Sequence, residues 1–132
     1  MELHYDTVTP LLKEILQHVM HEPIFSPFRL VGGTNISLRY GHRKSDDIDL
    51  FTDVEYGSLN FDVFEKFFRE NYVYFDCPDN SGIVGFGRSY YVGTSQEECV
   101  KIDLMYHDNF ICPYEIIDDI RLASINDIIA MK

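Results

Sequence analysis

Ser45-Asp46-Asp47-Ile48-Asp49-Leu50-Phe51 alternates acidic and apolar side chains from Asp47 onward. A period of two marks a strand with one buried face. Ile48 and Leu50 then point into a core, and Asp47 and Asp49 lie together on the opposite face. Two adjacent carboxylates repel, and a hard divalent cation is the natural means of holding both ionised. An exposed acidic strand shows the same alternation, so the pair gains meaning only from its surroundings.

Upstream, residues 28–31 read as a short strand ending at Gly32-Gly33, and residues 34–40 as a helix closed by Gly41. A strand that turns through glycines into a helix leaves unpaired amides at the helix start, where N–H donors and the helix dipole attract phosphate. Glycine lets a phosphate approach without a Cβ in the way, and the Thr34 hydroxyl offers a further contact. Taken alone, the same residues make a plain strand-to-helix turn. Nearer the N-terminus, Val8, Leu11, Leu12, Ile15, Leu16 and Val19 are spaced for a helix within residues 6–21. Thr9 or Thr7 would cap it, Pro10 fits its first turn, and Pro23, Ser26 and Pro27 lie beyond its end.

Downstream, residues 61–72 return to helical spacing, with Phe61, Phe64, Phe67 and Phe68 as an aromatic stripe that reads as core. Residues 73–75, 83–86, 90–92 and 100–106 read as strands between glycine and asparagine turns. In the last of these Asp103 sits inside an otherwise apolar run, so it lies at an edge or beside a compensating partner such as a metal. If that strand lies beside the Asp47–Asp49 strand, three carboxylates converge, as a pair of cations about 3.5–4 Å apart requires. After Pro113, residues 115–122 lead to a final helix capped by Ser124, with Asp127 standing where a capping box has Glu. Ile125, Ile128 and Ile129 make that helix apolar, and it stops abruptly at Lys132. The expectation is a single domain over residues 1–132 that is truncated at its C-terminus or lacks a partner surface. Strands interleaved with helices predict an α/β (α+β) fold, a mixed sheet flanked by helices.

Composition narrows the class further. The 132 residues, 45% hydrophobic and 25% charged, suit one ordinary globular domain. No apolar run approaches the ~18 residues of a membrane span, and the N-terminus lacks the pattern of a signal peptide. Cys77, Cys99 and Cys112 are an odd number with no Cys-x-x-Cys pair, which argues against a disulfide framework or structural zinc. A reduced, cytoplasmic protein without membrane contact is expected. A net charge of −11 opposes broad binding to nucleic-acid backbones. It leaves room for a small anion where amides and a few cations meet.

Three stretches carry a family resemblance: Leu30-Val31-Gly32-Gly33-Thr34 with Leu38, then Gly41-His42-Arg43, Ser45 and Asp47-Ile48-Asp49-Leu50-Phe51, then Lys101-Ile102-Asp103-Leu104. Together with the tail from Ile120-Arg121-Leu122-Ala123-Ser124 to Ala130-Met131-Lys132, they closely resemble the AbiEii/AbiGii-type nucleotidyltransferase toxins of the DNA polymerase β-like superfamily. The resemblance implies a nucleotidyltransferase-type mixed sheet and a metal-dependent enzyme that moves a nucleoside monophosphate from a triphosphate such as ATP to a tRNA or protein hydroxyl. It implies a toxin–antitoxin or phage-defence setting with a cognate antitoxin, and Mg²⁺ or Mn²⁺ as cofactor. By the same resemblance Gly32, Gly33 and Thr34 hold the triphosphate, Asp47 and Asp49 bind both metals, and Asp103 binds the catalytic metal and helps deprotonate the acceptor. Arg43 either neutralises phosphate or pairs with Asp46 or Asp47, and His42 is read as a structural partner. The family continues past the position of Lys132 into helices with a further lysine and aspartate.

Other signals are discounted. Gly82, Gly85 and Gly87 have no helix after them and read as hairpin turns. His18 and His21 lack a third ligand, Cys99 with His107 reads as a neutral thiol, and Tyr72, Tyr74, Tyr90 and Tyr91 read as packing rather than a base platform. Two competing functions remain. One is a non-catalytic nucleotide- or partner-binding module of the same fold; the other, metal-dependent phosphoester hydrolysis, explains the glycine turn less well.

Overall fold

The computed structural model describes residues 2–78 and 86–130. Ile83, Val84 and Gly85, the body of one expected strand, lie outside them, as does Gly82. Among the described residues the strands form one sheet of seven. In chain order the elements are α1 (Pro10–His21), β1 (Arg29–Val31), α2 (Gly32–Tyr40), β2 (Asp47–Thr52), α3 (Phe61–Asn71), β3 (Tyr74–Asp76), β4 (Gly87–Gly93), β5 (Cys99–Tyr106), β6 (Glu115–Ile117), β7 (Ile120–Leu122) and α4 (Ile125–Ala130). The sheet order is β3-β4-β5-β2-β1-β7-β6. Pairs β2/β5 and β1/β7 are parallel and the rest antiparallel. The predicted mixed sheet flanked by helices is therefore present. No described helix is long and apolar enough to cross a membrane.

Local chemistry accounts for the helix limits. Thr9 is extended, as a residue before proline must be, and its hydroxyl accepts the Leu12 amide at 3.1 Å. The first helix thus begins at Pro10, and residues 5–7 form a separate single turn. The second helix starts earlier than expected, at Gly32, so both glycines belong to its first turn. Gly32 takes φ +73°, which allows the sharp exit from β1, and Gly41 closes the helix in the left-handed region. Residues 115–122, left unassigned above, are a hairpin whose two turn residues, Asp118 and Asp119, both have positive φ. Tyr5 donates its hydroxyl to Asp118 at 2.8 Å, which helps hold that turn.

One face of the sheet carries the main core. Leu30, Ile48, Leu50, Tyr90, Val92, Ile102, Leu104 and Leu122 all point there and are buried. They meet Leu12, Ile15, Leu16 and Val19 of α1 and Phe64, Phe67 and Phe68 of α3. Phe25 closes the gap, with ring centroids 5.0–5.7 Å from those of the three phenylalanines. Each such side chain contributes about 1.5–3 kcal/mol on full burial, so this face holds most of the stability. The other face has a smaller cluster of Val31, Ala123 and Ile128.

A buried polar hub fixes the start of α2. Arg39, 5% exposed, donates to the Asn35 side chain, the Ala123 carbonyl and Glu115, all within 3.0 Å. Asn35 in turn donates to the carbonyls of Leu30 and Ala123. The glycine turn is thereby tied to β1 and to the end of β7.

Candidate active site

β2 and β5 run side by side with Asp49 beside Asp103 and Asp47 beside Lys101. In-register neighbours share a face, so four charged side chains occupy one small square of the sheet. Their alternates Ile48, Leu50, Ile102 and Leu104 are fully buried on the other side. The three acids expected to meet do lie on one face, and Asp103 is turned towards the other two.

The electrostatics of this square are strained. Burial, a hydrogen bond to Asp103 and the negative charges of Asp103 and Asp47 push the Asp49 carboxyl up to about 7, against the pull of Lys101. Asp47 is raised too, first by burial and then by Asp46. Lys101 is raised chiefly by Asp103, whose nearer oxygen lies 3.7 Å from the ammonium. The other oxygen of Asp103 accepts the Ser89 hydroxyl at 2.6 Å. Three acids with one ammonium among them are short of positive charge, and this shortage adds to burial in raising the Asp49 carboxyl. Oxygen donors with excess negative charge are the donor set that Mg²⁺ or Mn²⁺ takes, so the residues fit such an ion. Among the described residues no three His, Cys, Asp or Glu side chains are placed to hold one metal ion together.

The glycine turn adjoins the acids. A Cβ on Gly32 would stand 2.5 Å from Asp49 Oδ2, and one on Gly33 would stand 2.6 Å from an Arg43 guanidinium nitrogen. Arg43 thus lies over the turn; among the described residues it pairs with neither Asp46 nor Asp47. Gly32, Gly33, Ile36, His42, Arg43 and Ile128 line a cleft of about 430 Å³. No side chain caps α2, so its first amides are available to an anion there. His42 is exposed at this cleft rather than engaged in packing.

Thr34 departs from expectation. It is 1% exposed, and its hydroxyl bonds Ser45 at 2.6 Å and the Asp47 carbonyl. The side chain ties α2 to β2 and leaves the cleft to backbone amides. The discounted groups pack or bond elsewhere. His18 bonds the Tyr72 hydroxyl at 2.8 Å, Tyr90 donates to Glu65 at 2.9 Å, and His107 stacks on Phe51 and Phe110. Cys99 bonds the Gln96 carbonyl, and all three thiols are free. Ser89 and Lys101, both in contact with Asp103, had no role from sequence. Only the strand register could have revealed them, since each is opposite an acid on a different strand.

The profile of the family described as "Nucleotidyl transferase AbiEii toxin, Type IV TA system" matches residues 14–132. The chain belongs to the AbiEii family. Two solved Helicobacter pylori chains share its fold at a TM-score of 0.61: one provisionally described as a nucleotidyltransferase, 20% identical, and JHP933, 18% identical. Each match covers 91% of this chain, and 53% and 52% of the respective neighbours. The uncharacterized protein aq_aa25 of Aquifex aeolicus (strain VF5) is 38% identical over 65 residues, 47% of this chain and 32% of that protein. This AbiEii-family chain therefore spans about half the length of its solved neighbours, and less of its curated relative.

Proposed function

We propose that residues 1–132 are the nucleotide-binding core of a nucleotidyltransferase that transfers a nucleoside monophosphate from a triphosphate to a hydroxyl acceptor. The observation that carries this reading is the registered pair Asp49–Asp103 beside the cleft of Gly32, Gly33 and Arg43. The amides of the glycine turn and the Arg43 guanidinium hold the polyphosphate, while Asp47, Asp49 and Asp103 hold Mg²⁺ or Mn²⁺. When bound, these ions polarise the phosphoryl oxygens and steady the leaving pyrophosphate. Asp103 takes the proton of the acceptor hydroxyl, whose oxygen forms a new bond to the α-phosphorus as the bond to the pyrophosphate oxygen breaks. The Val31 cluster under α4 keeps the glycine turn in place during the exchange. The resemblance suggests a tRNA end or a protein hydroxyl as acceptor, the family description a toxin–antitoxin pair, and the cysteine usage a cytoplasmic setting.

Calorimetry with each nucleoside triphosphate, with Mg²⁺ and with EDTA, tests this directly. Binding should depend on the cation, and Asp47→Asn or Asp103→Asn should remove that dependence. Equal affinity with and without Mg²⁺ would refute the reading. A nucleotide-binding module of the same fold without turnover is the second reading. Cation-dependent binding without any transfer of label would favour it.

A further inference from the structure

We propose that Ser89 is a positioning residue that aims the Asp103 carboxylate at the acid group and thereby sets its affinity for a divalent cation. This rests on the nucleotidyltransferase reading above. Ser89 lies on β4, outside the β2/β5 pair, directly opposite Asp103 in the antiparallel register. Its hydroxyl donates to Asp103 Oδ1 at 2.6 Å, the length of a bond to an ionised acceptor.

The last torsion of an aspartate is broad and soft, so backbone register alone does not decide where its two oxygens point. Ser89 fixes one of them, Oδ1. With Oδ1 drawn outward to β4, Oδ2 is left facing Lys101 at 3.7 Å and the side of Asp49 and Asp47. Among the described residues the Ser89 hydroxyl has no other partner, and serine is a weaker strand former than the β-branched residues that usually fill such positions. The side chain spends its one polar group on Asp103. Flanking residues do not substitute for it, because Arg88 and Tyr90 point to the other face, where both are engaged with Glu65.

Thr and Val are near-isosteres, and only Thr keeps the donor. Mn²⁺ binding by the whole chain is therefore measured for wild type, Ser89→Thr, Ser89→Val and Asp103→Asn, with thermal melting in EDTA alongside. Loss of a hydrogen bond to a charged group should weaken Mn²⁺ about tenfold or more in Ser89→Val. Ser89→Thr should stay within about twofold of wild type, and both variants should melt close to it without metal. If turnover is followed, Ser89→Val should lower kcat with little change in KM for the triphosphate. A merely structural serine would move the melting point and leave affinity alone. Ser89→Val that binds Mn²⁺ as tightly as Ser89→Thr overturns the proposal and leaves the nucleotidyltransferase reading standing. Wild type and Asp103→Asn binding Mn²⁺ equally would instead overturn both, because the acids would then not be the cation site.

Discussion

Replacing Gly32 by alanine isolates the contact on which the site geometry turns. At φ +73° an L-residue costs about 1–2 kcal/mol, which in a chain of this size lowers the melting temperature by roughly 3–10 °C. The larger effect is local. The new Cβ would lie 2.5 Å from Asp49 Oδ2, close to an ångström inside ordinary contact, and the movable partner is that carboxylate. A shift of about 1 Å in a reacting group costs on the order of a hundredfold in rate. Gly33→Ala is the control. Gly33 has no positive φ, and its Cβ would meet the far end of the flexible Arg43 side chain. We expect Gly32→Ala to lose cation affinity and turnover while remaining folded at 25 °C. Gly33→Ala should keep cation affinity and raise KM for the triphosphate severalfold. Mg²⁺ calorimetry with circular dichroism melts separates the two. A Gly32→Ala protein that binds Mg²⁺ like wild type would show that the approach of the turn to Asp49 is incidental.

Asp127, 3% exposed, accepts the amides of Ile111 and Cys112 and the Ser124 hydroxyl. Asp127→Ala should therefore cost about 2–4 kcal/mol in urea unfolding at neutral pH. Burial alone would raise its carboxyl, but those donors and Arg29 lower it, so its contribution is full above pH 4 and fades as pH falls below that. Arg39→Met should cost about 1–3 kcal/mol by the same measurement, since Glu115 is solvated and the Ala123 carbonyl keeps its bond from Asn35. For Asp49 the sign is reversed. The folded chain holds a proton up to about pH 7 that the unfolded chain gives up near 4, so in EDTA stability should fall as pH rises between those values. Mg²⁺ affinity should climb by up to about tenfold per pH unit below 7 and level off above it; a flat profile from pH 5.5 to 8.5 would contradict the raised Asp49 carboxyl.

What could be read in advance was local. The alternation at Asp47–Leu50 placed two acids and two core residues correctly because a strand's period needs no partner. Phe64, Phe67 and Phe68 were legible as core for the same reason, through helical spacing. Gly32 was harder: low helix propensity put the helix start at Thr34, whereas the first turn needs the backbone freedom of Gly32 to leave β1. The partners of the Thr34 hydroxyl were not legible, because a buried hydroxyl bonds a nearby carbonyl, here that of Asp47 on another element. The 115–122 hairpin lacked the usual Asn-Gly signal, since two aspartates held at positive φ do its work. Ser89 and Arg39 act through partners 14 and 84 residues away, and no window on the chain contains both ends of such a bond.

The two faces of the sheet divide the work between stability and chemistry. One face, loaded with Phe25, Phe64, Phe67, Phe68 and the α1 leucines, supplies enough burial to tolerate acids crowded on the other. On that second face the negative charge is met in two ways: by the raised Asp49 carboxyl, which keeps its proton up to about pH 7, and by the Lys101 ammonium 3.7 Å from Asp103. On the reading proposed above, a divalent cation at this square would displace the Asp49 proton and compete with Lys101 for Asp103. The ammonium would still lie beside Asp47 in the register. The charge that destabilises the free site is thus what a cation bound on the proposed reading would require.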